Sequence, residues 1–414
     1  MRHLGLILLL GLVGCLVDGD ESLWKNRHDA TRDRLQRDGP TADQAVADRL
    51  AGDGPAGDLL ARDRPAGDLP ARDGLPPAPD KLAPDTVPPC TTGQFECLAG
   101  GTARHCTTGQ WKLVGSCVLG CDAPTKACRV PSNVAVDAVL KGTGHLDLTG
   151  KGATITISTD TGEISLVRGK VTGLDPVSGI YYEQVAQAGA PGLGVFAMKK
   201  LVIPDGTTVK VSGTRALVLL AGDTASVLGA IDVSAAGKTA GPGGIDGGAA
   251  GAAAAGIGGG KPGTGDNYDS YCAGGGGGGG YGGAGGPGGA STCATPHNFS
   301  GGAGGIAFGG VTLAPLVGGG GGAGGTLATG ATDSYPGPGG GGGGAIQLVS
   351  TVSLSFGPKA SINAGGGGGG QTVSGGGAGG GAGGGILLEA PTVTVATGAI
   401  LAANGGGGGG GDCT

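Results

Sequence analysis

The chain has 414 residues, of which 102 are glycine, 14% are charged and 3% are aromatic. That composition lies outside the range of ordinary globular enzymes, and any core has to be built from Val, Ile, Leu and Ala in thin stacked strands. The net charge of −6 mixes both signs, which leaves no basic footprint, so nucleic acid is not an expected partner.

At the N-terminus, Arg2 and His3 precede the apolar run Leu4 to Val13, which is too short to span a bilayer. The run closes on Leu12-Val13-Gly14-Cys15. This resembles the lipobox of bacterial lipoproteins, in which the cysteine becomes the lipidated first residue of the mature chain. The resemblance implies a signal peptide over residues 1–15 and lipidation at Cys15. Leu16, in place of an Asp, implies outer-membrane or cell-surface anchoring. A plain secretory signal with an incidental cysteine is the alternative. Ten cysteines fit an oxidising, extracytoplasmic compartment.

Residues 16–89 are rich in Asp, Arg, Pro, Gly and Ala and carry a repeat, "PAGDLLARDR" from Pro55 and "PAGDLPARDG" from Pro65. Mixed charge, frequent Pro and scarce β-branched side chains bury too little surface to offset ordering entropy. A disordered spacer is expected, reaching on the order of 50 Å.

Residues 90–130 hold Cys90, Cys97, Cys106, Cys117, Cys121 and Cys128. Six cysteines in so short a secreted stretch predict a disulfide-stapled module, with fifteen connectivities open. The module contains an echo, Cys90-Thr91-Thr92-Gly93-Gln94-Phe95 and Cys106-Thr107-Thr108-Gly109-Gln110-Trp111. Phe95 and Trp111 are candidates for stacking on a sugar, or they cover the disulfides as a minimal core. Cys117 and Cys121 lack a His partner in register, so no metal is expected.

β-Patterning begins in residues 134–236. "ATITIS" (Ala153 to Ser158), "EISLV" (Glu163 to Val167), "KKLVI" (Lys199 to Ile203), "TTVKVSG" (Thr207 to Gly213), "ALVLLA" (Ala216 to Ala221) and "GAIDVSA" (Gly229 to Ala235) are short, β-branched and bounded by turn residues.

Residues 237–414 alternate glycine runs with apolar segments. "AIQLVSTVSLSFGPKASINAGGGGGG" from Ala345 and "GILLEAPTVTVATGAILAANGGGGGG" from Gly385 share one order of elements, and "ALVLLAGDTASVLGAIDVSAAG" from Ala216 has the same grammar. Three short strands per unit predict one rung of a parallel β-solenoid, or β-helix, with Ile346, Leu348, Val352, Leu354, Phe356 and Ile362 pointing inward. The glycine runs are then corner insertions, expected as three excursions over 237–310, 318–344 and 365–385. An isolated Gly arm gains nothing from side-chain burial, so only mutual backbone hydrogen bonding can order it, in extended helices of three residues per turn. No Gly-X-Y period is present, which excludes collagen. Gly274 to Gly280, "GYGGAGGPGGAS" from Gly280, Gly318 to Gly325, "INAGGGGGG" and "LAANGGGGGG" resemble the glycine-rich, PGRS-like proteins of bacterial surfaces. That resemblance implies polyglycine II-like helices and surface exposure, and no particular activity. The sequence stops soon after Asp412 with Cys413-Thr414, where a further rung or cap is expected.

Chemistry is sparse in this region. Glu389 stands alone at a strand end and is expected to face solvent, and His297 is the region's sole histidine. Asp266, Asn267 and Asp269 match neither an EF-hand nor a glycine-aspartate calcium repeat, so a polar turn is expected. Cys272 and Cys293 are expected to close the first glycine arm as a disulfide. No G-K-[ST] follows a glycine run, so no nucleotide or other cofactor is expected.

The expected protein is therefore all-β and non-enzymatic: a surface-exposed lipoprotein with a structural, adhesive or matrix role. Its partners would be the membrane, through the lipid, and envelope polymers such as polysaccharide. The alternatives are carbohydrate binding through the Cys-rich module and, further off, a β-helix polysaccharide-degrading enzyme.

Overall fold

The computed structural model describes residues 89–98, 102–122, 126–265, 272–292, 298–327 and 335–412. All of them belong to the unit Leu82–Thr414. Cys15 and the spacer up to residue 88 lie outside the described residues, as do Asp266, Asn267, Asp269, Cys293, His297 and Cys413.

The described structure is almost wholly strands and extended chain. The module consists of β1 (Phe95–Leu98), β2 (Thr102–Thr107) and β3 (Gln110–Ser116) in an antiparallel sheet, followed by a small hairpin of β4 (Cys121–Asp122) and β5 (Ala127–Cys128). Thr108 and Gly109, with φ of 53° and 78°, form the two-residue turn between β2 and β3, whose twist matches that of the flanking strands.

After a short 3-10 helix at Val136–Leu140 come β6 (His145–Asp147), β7 (Thr154–Ser158), β8 (Gly173–Leu174), β9 (Tyr181–Gln187) and β10 (Ala190–Met198). The order then becomes regular with β11 (Lys200–Ile203), β12 (Thr208–Ser212), β13 (Ala216–Ala221), β14 (Ala225–Val227) and β15 (Ala230–Asp232). Two-residue strands β16 (Ser291–Thr292), β17 (Asn298–Phe299) and β18 (Thr326–Leu327) lie in the glycine-rich region. The pattern resumes at β19 (Ala345–Ser350), β20 (Ser353–Phe356) and β21 (Ser361–Asn363). Another short strand, β22 (Gly375–Gly376), precedes β23 (Gly385–Glu389), β24 (Thr392–Val395) and β25 (Ile400–Ala402).

Three sheets result. The first runs β8-β9-β10-β13-β19-β23, the second β6-β11-β14-β20-β24, and the third β7-β12-β15-β21-β25. From β10 onward the chain enters them in one repeating order, and its strands pair in parallel with those of the previous pass.

Register places like side chains over one another. Leu146, Leu201, Ala225, Leu354 and Val393 form one ladder, and Ile155, Val209, Ile231, Ile362 and Leu401 a second. Tyr182, Phe196, Leu219, Leu348 and Leu388 form the third. Every member except the last of each ladder is at most 2% exposed. Each such burial is worth about 1.5–3 kcal/mol, and the three ladders meet in one core.

The first sheet is covered on both faces, since every residue of β13 and β19 is buried. Its outer face packs Val195, Val218, Leu220 and Val349 against Val118 and Leu119 of the module, Val139 of the 3-10 helix, and Leu316. Double burial explains why "ALVLLA" is an unbroken apolar run where the half-exposed strands alternate.

Three expectations are corrected. Val352 is 50% exposed because it sits in the turn between β19 and β20, and the alternation restarts only at Ser353. Glu163–Val167 is a turn. Leu166 has φ 62°, and the N–H groups of Val167 and Arg168 both donate to the Ile164 carbonyl. The cause is Arg168, 3% exposed, whose guanidinium gathers the carbonyls of Gly162, Gly169, Val171, Gly173 and Ile180. Among the described residues no strand between β15 and β19 joins the three sheets, so the first two expected insertions are not separated by a pass through them. Residues 311–318 instead lay Leu316 on the outer face of the first sheet.

Candidate functional site

The glycine runs lack side chains, so their order has to come from the backbone. In Gly275–Gly280, the N–H groups of Gly275 and Gly278 donate to Gly289 and Gly286. Those of Gly276 and Gly279 donate to Gly377 and Gly380, and those of Gly277 and Gly280 to Lys261 and Gly258, all at 2.8–2.9 Å. One strand thus bonds to three neighbours with a period of three. The same period links Gly319, Gly322 and Gly325 to Gly343, Gly340 and Gly337, and Gly340 and Gly343 to Gly379 and Ala382. Each bond is worth about 0.5–1.5 kcal/mol net. A Cβ on Gly340 would run into the carbonyl of Gly367, so this approach of backbones requires glycine.

Tyr281 interrupts the glycine. Its hydroxyl donates to the Val317 carbonyl at 2.8 Å, its ring meets Phe308 edge-on at 5.5 Å, and burial pushes its phenol up to about 12. Elsewhere in the bundle β18 pairs with β22, β16 with β17, and Tyr335 bridges to Val373. Cys272 is disulfide-bonded. Because the six module cysteines pair among themselves, its partner lies outside the described residues.

Along one side, a groove of about 810 Å³ runs between Gly275–Ser291, Gly375–Gly383 and Ala403–Gly411. Its walls are almost entirely glycine and alanine.

The module disulfides are Cys90–Cys106, Cys97–Cys121 and Cys117–Cys128. Phe95 lies opposite His105 and Trp111 opposite Cys106. His105 and Cys106 are consecutive in β2, so the two aromatic residues stand on opposite faces of the sheet and do not form one platform. Trp111 has the Arg104 guanidinium 4.5 Å from its ring centroid, and Arg104 is itself paired with Glu96 at 2.6 Å.

Charged groups elsewhere serve as ties. Glu389 is held by Ser132 and by Gln347, which corrects the expectation of a solvent-facing carboxylate. Asp160 binds Arg215 and Thr214. Lys141 is raised above the usual lysine range, chiefly by its hydrogen bond to Glu183. Among the described residues no group of three or more His, Cys, Asp or Glu is placed to hold a metal ion, and no helix is long and apolar enough to cross a membrane. Sequence reasoning missed Arg168, Tyr281, Ser132 and Gln347; only Tyr281 carried a signal, as an aromatic set in a glycine run. Family models, curated proteins and solved structures include none that matches this chain.

Proposed function

We propose that this is a non-enzymatic, surface-exposed envelope protein: a parallel β-solenoid whose corner insertions form a bundle of polyglycine II-like helices. A lipid on Cys15 holds it to the outer membrane, and the spacer sets it off from the bilayer. The bundle acts as a stiff structural or adhesive element toward envelope polymers, neighbouring cells or further copies of the chain.

The observation that carries this reading is the three-residue hydrogen-bonding period of the glycine runs, which is that of an extended three-residue helix. None of Gly274–Gly280, Gly318–Gly325 or Gly339–Gly344 takes a positive φ, as a helix of one hand requires. The three-sheet cycle with in-register ladders supports the solenoid. Glycine in this state contributes rigidity without side-chain chemistry, which suits a scaffold.

Amide exchange on the full chain tests the reading. Slow exchange at Gly276–Gly280 and Gly319–Gly325, as slow as in β13, is expected of a bundle. Exchange at random-coil rates would reduce the arms to bristles and remove the structural role. Anchoring is tested by Cys15→Ser, which is expected to release the protein from the membrane fraction. Glycan binding by the module would show on a glycan array and be lost in Trp111→Ala.

A further inference from the structure

The groove beside the glycine bundle is lined by backbone groups that the packing inside the bundle leaves over. The N–H groups of Gly377 and Gly380, both buried, find no acceptor among the described residues, and the carbonyls of Gly276 and Gly279 accept no bond there. All four residues line the groove. Buried backbone groups are rarely left unpaired. Their aim follows from peptide planarity, because a carbonyl and the N–H that follows it point in opposite directions across a trans peptide. The N–H groups of Gly277 and Gly280 donate to Lys261 and Gly258, so the carbonyls of Gly276 and Gly279 point away from that strand. The Gly379 carbonyl accepts from Gly340, so the Gly380 N–H points away from Gly340. Because the N–H groups of Gly276 and Gly279 donate to Gly377 and Gly380, the two rows stand side by side at one height. A free donor lies next to a free acceptor, and the pair recurs three residues on, about 9 Å along an extended three-residue helix. The space between the walls is open: a Cβ on Gly278 meets Gly380 and Gly286 only at 3.5–3.7 Å, and one on Gly275 meets Gly289 and Gly377 at 3.3–3.6 Å.

We infer that the groove is a binding site for a partner's extended, glycine-rich peptide segment. The inference rests on reading the glycine runs as packed three-residue helices. A ligand that satisfies both rows has to accept from Gly377 and Gly380 and donate to Gly276 and Gly279 with one three-residue repeat. A peptide backbone in the extended three-residue helix does this, whereas polyproline has no N–H to donate. The walls are backbone with little side chain, and inside the bundle the same approach of backbones leaves no room for a Cβ, as at Gly340 against the Gly367 carbonyl. Ligand residues turned toward the walls therefore have to be glycine. No charged side chain lines the groove, so the bound segment is neutral.

Fluorescence anisotropy on the full chain in detergent tests the inference, with labelled hexaglycine carrying a short lysine tail for solubility as the probe. Saturable binding is expected. Hexasarcosine on the same tail, whose methylated amides cannot donate, is expected to bind at least about tenfold more weakly. Gly278→Ala places a methyl on the groove floor at ordinary contact distance and is expected to weaken hexaglycine binding to a similar degree. Gly407→Ala, where a Cβ meets nothing and which does not line the groove, is expected to leave it unchanged. Absence of hexaglycine binding, equal binding of hexasarcosine, or indifference to Gly278→Ala would overturn the inference. So would tighter binding of a hexaproline or a neutral oligosaccharide probe. Amide exchange of Gly319–Gly325 in the same samples separates the two readings: slow exchange without hexaglycine binding sinks only the groove, and fast exchange sinks the bundle with it.

Discussion

Ser132 and Glu389 lie 257 positions apart in the chain, and the Ser132 hydroxyl donates to the Glu389 carboxylate at 2.5 Å. The Ser132 N–H joins it at 3.2 Å, and the Gln347 amide donates to the other carboxylate oxygen at 2.5 Å. The neighbouring Asn133 amide reaches the Leu313 carbonyl at 2.9 Å. The segment leaving the Cys module is thereby tied to the outer face of the first sheet. Glu389→Ala should cost about 1–2 kcal/mol, the range for hydrogen bonds to a charged group that is partly solvated. Urea unfolding measures it, and a smaller loss in Ser132→Ala, which keeps the backbone N–H and Gln347 bonds, with little loss beyond that of Glu389→Ala in the double variant, would identify the shared contact.

Arg168 should be far less tolerant. Its guanidinium is buried, satisfies five carbonyls, and stands 5.4 Å from the Tyr182 ring centroid. Arg168→Met strands the buried carbonyls of Gly162 and Ile180 and should cost about 2–4 kcal/mol by the denaturation midpoint. Arg168→Lys should recover little, because an ammonium cannot span carbonyls spread around a planar fork.

Alkaline pH should loosen the contact of Tyr281 with Val317 and Phe308. The Tyr281 phenol is raised from 10.0 to about 12 in the folded state, so the folded protein keeps a proton that the unfolded chain releases. The stabilisation is intact below pH 10, the unfolded value, and is lost as pH climbs through about 12. Burial also raises Tyr181 and Tyr182, so absorbance titration at the phenolate band should show Tyr281→Phe losing one of several late-ionising tyrosines. That variant should cost about 1 kcal/mol at neutral pH for the lost bond to Val317.

Position, not glycine content, should decide the effect of alanine in the runs. Gly340→Ala forces a methyl into the Gly367 carbonyl and should cost about 1–3 kcal/mol, with faster amide exchange in the facing strands. Gly289→Ala adds a methyl to open space and should stay within about 0.5 kcal/mol.

Much of this was legible beforehand because β-strand periodicity is local. Ile346, Leu348, Leu354, Phe356 and Ile362 read as inward from their alternation and are all at most 2% exposed. β9 and β10 escaped notice because Pro191 and Gly192 break their pattern, and antiparallel pairing rather than propensity makes them strands. The turn at Glu163–Val167 has a good strand sequence that the buried Arg168 overrides. Charge ties such as Ser132 with Glu389 join positions whose separation carries no sequence signal.

The residues by themselves determined the strand units, the inward-facing side chains, and the absence of any side-chain means to order the glycine. They could do so because propensity and alternation act over a few neighbours. Only the tertiary structure decided that no described strand between β15 and β19 joins the three sheets, that β13 and β19 are buried on both faces, and which glycine amide meets which carbonyl. Identical glycines carry no register of their own, so their pairing is set by where the strands of the three parallel sheets release and recapture the chain.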